Sequence, residues 1–175
     1  MKEGNLMSER AKISQKTAIL LERARRLGVA DDVLLASKAK GDPTPLKVAE
    51  EEYYHYDDFF TYAENHGEDL ESAIKNGYIM KFNTNGGIQT WLKERFGLEA
   101  ERDYLFSPGN FTQLKLSVER AEVLFSVLAG NWVMLISADG REALVDDHAA
   151  FSNLAEDIVN IHLIVGSEYK VSANK

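Results

Sequence analysis

The chain has 175 residues, no cysteine, 45% apolar and 10% aromatic residues and a net charge of −8. That is enough chain for one globular domain burying roughly 70% of its unfolded surface, and it excludes a disulfide framework, thiolate chemistry and a Cys-based zinc site. No run approaches the ~20 apolar residues of a membrane span, and the opening MKEGNLMSERAKISQ has no apolar h-region, so the sequence predicts no membrane contact and a cytoplasmic location.

Charge is unevenly placed. Residues 1–47 carry net +4, residues 48–71 net −9 and residues 72–175 net −3. Such asymmetry points either to a partner surface or to pairing between the first two segments. The overall sign argues against broad nonspecific nucleic-acid binding, though not against a local basic patch.

In chain order, Ile13, Thr17, Leu20, Ala24 and Leu27 fall on one helical stripe, with Ser14 near the start and Gly28 after the end. A second helix is predicted over 32–40, with Asp31 as N-cap and Gly41 as stop. Thr44 and Pro45 suit the start of a third helix. From there Leu46, Ala49, Tyr53, Tyr56, Phe60 and Ala63 fit one amphipathic helix over 46–64. A short helix over 69–76 follows. The period then changes, and Tyr78–Phe82 reads as a strand. Asn83–Gly87 is a turn, and Ile88–Phe96 a helix stopped by Gly97. Tyr104–Phe106 is a short strand. Over 111–129 both periods are present. Phe111, Leu114, Val118, Ala121, Phe125 and Leu128 keep the helical stripe throughout, and Asn110 with Gln113 resembles a capping box, so a helix is predicted. Trp132–Ser137 and Glu142–Val145 flank an Asp-Gly hairpin signal. Asp146 or Asp147 then caps a helix to about Ile158, Ile161–Val165 forms a last strand, and the final residues fray.

The predicted fold class is α+β: an N-terminal part of three to four helices with a small, mostly antiparallel sheet plus helices. The chain is read as a single domain, 1–175, which can be subdivided into a helical part, 1–68, and a mixed part, 69–175.

Four segments carry candidate chemistry. Within EEEYYHYDDFFTYAENHGEDLE (residues 50–71), Glu52-x-x-His55 has the spacing of a carboxylate-bridged di-metal helix. The required second copy is missing: three residues before His66, His148 and His162 stand Ala63, Val145 and Val159. Glu51, His55 and Asp58 share a helical face, but ligands strung along one straight helix do not converge on one ion. The same stretch reads better as a binding surface. It has more aromatics than one stripe buries, and Tyr suits interfaces because it brings area with little lost rotamer freedom. Glu50, Glu51, Tyr54, Asp57, Asp58, Phe59 and Tyr62 are the predicted partner-binding residues, their acids steering a basic protein. Against this stands a plain solvated helix face, or a second protein layer over the rings.

The alternative surface is basic. Helices 13–27 and 32–40 have helix-turn-helix proportions, and Arg23, Arg25, Arg26, Lys38 and Lys40 can reach phosphates. The second helix lacks Arg, Asn or Gln for bidentate base reading. Asn83-Thr-Asn-Gly-Gly resembles an anion-binding helix start, but neither Gly-rich phosphate motif is present. Asp146-Asp147-His148 suits acid–base or metal chemistry, and equally a helix N-terminus. No GxSxG or HExxH motif occurs.

The function read from the sequence is thus a small acidic regulatory or inhibitory protein, non-enzymatic, without cofactor, metal or catalytic residues. It binds a basic protein through an acidic aromatic helix, and a homodimer is left open. A DNA-binding regulator is the first alternative. A metal-dependent hydrolase centred on His55 or His148 is the second.

Overall fold

A computed structural model describes residues 10–138, 140–152 and 154–173. The protein is of the α+β class, with helices in its N-terminal part, a two-stranded parallel sheet and a five-stranded antiparallel sheet. The chain divides into two compact units. The first takes in the described residues up to Lys81 together with Thr90–Phe96. The second takes in Phe82–Gln89 and the described residues from Gly97 onward. Among the described residues no helix is long and apolar enough to cross a membrane.

The first unit begins with a strand that the sequence reading lacked. β1 (Ala11–Ile13) pairs in parallel with β2 (Tyr78–Met80), Ala11 opposite Tyr78 and Ile13 opposite Met80. Three residues are too few to show a period, but their buried-exposed-buried pattern is that of a strand. Helix α1 (Gln15–Arg26) follows at once. The Ser14 hydroxyl accepts from the Thr17 N–H at 3.2 Å. Glu68, buried and far along the chain, accepts from the Ser14 N–H and the Thr17 hydroxyl. A carboxylate there complements the helix dipole as well as capping it. Helix α2 (Asp31–Lys40) starts one residue earlier than predicted. Ala30 is its N-cap, and Asp31 lies in the first turn, where its carboxylate takes Arg25 at 2.8 Å.

The helix predicted over 46–64 does not form. The chain makes a 3-10 turn over Thr44–Ala49, an irregular loop, and only then helix α3 (Phe59–Asn65). The reason lies in where the backbone groups find partners. Arg23 Nε donates to the Ala49 carbonyl at 2.6 Å, which a continuing helix would have used internally. Glu51 and Tyr54 exchange N–H and C=O bonds at 3.1 and 2.9 Å. The Glu50 carboxylate takes the Tyr56 N–H at 3.0 Å. Side chains thus outcompete the helix for this backbone. The buried set shifts accordingly: Leu46, Ala49, Tyr56, Phe59 and Ala63 are buried, while Tyr53 is 84% exposed. Helix α4 (Leu70–Asn76), capped by Asp69 through the Ser72 N–H, leads into β2.

Helix α5 (Asn85–Phe96) begins three residues before its predicted start and is the element that both units share. In the second unit, β3 (Leu105–Ser107), β4 (Asn110–Ser117), β5 (Trp132–Ala138), β6 (Arg141–Leu144) and β7 (Ile158–Val165) form an antiparallel sheet in the order β3-β4-β7-β5-β6. The helix predicted over 111–129 is instead β4 followed by helix α6 (Val118–Val127). The misleading three-residue step from Phe111 to Leu114 is a register shift, with Gln113 at φ 54°. A β-bulge inserts one residue and mimics helical spacing. Ser117, not Asn110, is the cap, accepting from the Arg120 N–H at 3.2 Å. Helix α6 packs on β4 and β7, placing Ala121, Leu124 and Val127 over a core that includes Phe111, Leu114, Leu116, Ile161 and Leu163.

The β5–β6 hairpin has Ala138 opposite Arg141 and Gly140 at φ 74°. Asp139, part of the Asp-Gly signal, lies outside the described residues. The helix predicted from a cap at Asp146 or Asp147 to about Ile158 is only a 3-10 turn, His148–Phe151, capped by Asp147, because Phe151 is its one buried side chain and Ile158 already opens β7. The C-terminal residues expected to fray form helix α7 (Gly166–Ala173).

Candidate partner-binding site

Both sequence-flagged surfaces of the first unit meet at one side chain. Arg23 is 4% exposed. Its guanidinium lies over the Tyr54 ring, 4.2 Å from the centroid. Nη2 stands 3.2 Å from Glu51, and Nη1 donates to Glu94 at 3.2 Å. With the bond to the Ala49 carbonyl, one arginine holds the loop 50–54 to helix α1. Arg26 adds a forked pair to the same Glu94 at 2.8 and 3.0 Å. Arg25 bridges Glu22, Asp31 and the Ile74 carbonyl. The three arginines of the basic alternative therefore serve internal carboxylates. Lys38 is half-buried and Lys40 exposed at the end of α2.

Below this lies a buried polar chain. Trp91 Nε1 donates to the Tyr78 hydroxyl at 2.8 Å, which donates to Glu22 at 2.9 Å. Burial beside the Glu22 carboxylate pushes the Tyr78 phenol well above its ordinary range. Tyr56, fully buried, donates to the Leu20 carbonyl at 2.6 Å, and burial raises its phenol too.

The predicted partner-binding residues separate into two groups. Phe59 is 2% exposed and lies edge-on against Tyr56, so it is a core residue and leaves the contact set. Glu50 is half-buried and caps the Tyr56 N–H. Tyr62 is half-buried, with His66 stacked at 4.0 Å and the Lys16 ammonium 4.2 Å from its ring centroid. Glu51, Asp57 and Asp58 are exposed. Glu51 faces Arg23, and Asp57 lies 3.4 Å from Lys47. Tyr54 is half-buried under Arg23.

The sequence reading missed Tyr53, assigning it to the core stripe. Its ring stands at the rim of a groove of about 550 Å³ between the loop and helix α1, with Lys16, Ile19, Tyr54, His55, Asp58 and Thr90 among the lining residues. Volumes of this size fall in the range of ligand clefts. One signal for this pairing was available: the adjoining +4 and −9 segments, which meet here through Arg23–Glu51 and Lys47–Asp57.

The remaining candidates have structural partners. His55 is exposed, its Nε2 3.0 Å from the Glu52 carbonyl. His148 packs against Phe125 and Phe151, and Asp147 caps its turn through the Ala149 N–H. Asn83 is a buried hub: its side chain accepts from Ala129, and its carbonyl accepts from Asn131 and from Trp132 Nε1. His162 lies between Glu142 and Asn110 on the sheet. Among the described residues no group of three or more His, Cys, Asp or Glu side chains is placed to hold a metal ion. Comparison of the chain with protein-family models, curated proteins and solved structures finds no match.

Proposed function

We propose that this protein is a non-enzymatic regulator or inhibitor that captures a basic protein partner through the acidic aromatic loop 50–58. The observation that carries the reading is Tyr53: a tyrosine 84% exposed on a loop that is itself tied down by Arg23. A large ring held in water on a fixed scaffold is ready to be buried with little ordering cost. Residues 50–58 hold five acids and no lysine or arginine; Glu50, Glu51 and Asp57 have partners within the chain, and the exposed Glu52 and Asp58 favour a cationic partner and speed its encounter. The DNA-binding alternative loses support, because Arg23, Arg25 and Arg26 already hold carboxylates of this chain.

The test is capture from the native host by wild type beside a Glu52→Lys/Tyr53→Ala/Asp58→Lys variant. These three side chains leave Arg23 and its partners intact. A protein retained by wild type and lost by a variant with the same melting temperature supports the reading. Equal capture by the two overturns it.

A further inference from the structure

We infer that the groove beside Tyr53 takes an arginine side chain of the partner, in the manner in which this loop already takes Arg23. The inference rests on the reading above and names the chemistry that the loop selects.

The inner side of the loop holds a worked case of arginine recognition. The Arg23 guanidinium lies over the Tyr54 face, with a carboxylate at 3.2 Å and a backbone carbonyl at 2.6 Å. Aromatic plane, anion and carbonyl are the three groups that suit a flat, forked cation. The outer side offers two of these types, the ring and the anion. Tyr53 supplies an exposed ring and Asp58 a carboxylate at the groove, while Ile19 and Leu20 offer apolar wall for the aliphatic stem. Among the described residues the ammonium that lines the groove is that of Lys16, and it sits 4.2 Å from the Tyr62 ring centroid, so it is drawn to that ring. A lysine ligand would find the same charge but would lose the stacking plane and the fork. An acidic ligand would meet the Asp58 carboxylate at the groove.

The experiment uses the full chain and three labelled peptides of one length, alternating glycine with arginine, lysine or neutral citrulline, followed by fluorescence anisotropy at low salt. The arginine peptide is expected to bind about threefold to tenfold more tightly than the lysine peptide. Tyr53→Ala is expected to abolish that preference and Asp58→Asn to weaken both cationic peptides. Tyr53→Leu, which keeps apolar area without a ring, guards against a loss caused by shape alone and is expected to behave as Tyr53→Ala does. Equal binding of arginine and lysine peptides overturns the arginine inference and leaves a basic partner standing. Binding of neither above the citrulline peptide overturns both.

Discussion

Arg23 and Tyr53 show how one loop divides its residues between holding and contacting. Arg23 is nearly sealed and answers four groups; Tyr53 is almost bare. Their substitutions are expected to act in opposite ways. Removing Arg23 leaves Glu94, 1% exposed, with Arg26 alone and frees the Ala49 carbonyl. Losing one member of a buried pair costs about 3–5 kcal/mol, and the surviving Arg26 contact places Arg23→Ala near ~3 kcal/mol. Tyr53→Ala, at the surface, is expected to stay within about 0.5 kcal/mol of wild type. Urea unfolding of the two variants measures both. Neither role was legible in the sequence. Arg23 shares its segment with other cations and looks like any of them. Tyr53 sits at a helical spacing from Ala49 and Tyr56, and that periodicity holds only where the backbone is free to coil.

Among the helices and strands the same cause recurs. Helices α1, α2 and α4 were legible because a glycine follows each, and α1 and α4 also begin at a side-chain cap, Ser14 and Asp69, whereas the cap expected for α2 at Asp31 was one residue late. The segment 44–65 was not, because its backbone is claimed by Arg23 and by the Glu50 carboxylate, partners that no local pattern displays. Strand β4 was hidden by its bulge, and Ser117 rather than Asn110 starts the next helix. The turn before β4 gives a test of backbone against side chain. Gly109 has φ 81°, and a Cβ there would lie 2.8 Å from a Glu168 carboxylate oxygen. That carboxylate ends a flexible chain and can move aside; the positive φ remains. Gly109→Ala is therefore expected to cost about 1–2 kcal/mol. Adding Glu168→Ala is expected to restore none of it in a double-mutant cycle. Recovery of most of the loss in the double variant would place the cost in the clash instead.

Across the full chain, the α+β class was legible from the change of period near residue 78, and the charge layout from simple counting. The counting left open whether the basic and acidic segments face outward or each other, and in part they face each other. Three of the seven tyrosines are expected to couple the fold to alkaline pH. Burial pushes Tyr104 up to about 12 and raises Tyr56 and Tyr78 as well. Their folded values lie above the unfolded value of about 10. Their contribution is therefore complete below about pH 10. Above it the unfolded chain ionises first, and each tyrosine removes at most about 1.4 kcal/mol of stability per pH unit until its folded value is passed. Phenolate absorbance from these three is expected to rise together with loss of near-ultraviolet ellipticity. Ionisation of these three with the near-ultraviolet signal intact would contradict it.

Whether loop 50–58 is the surface that meets a cationic partner is read out by hydrogen–deuterium exchange of the full chain with and without a saturating arginine–glycine peptide. Slower exchange in residues 50–58 and in the first turns of α1, with the sheet strands β4 and β7 unchanged, is the predicted result. Protection confined to other segments, or none at all under conditions where the peptide is bound, would contradict the assignment of this loop as the contact surface.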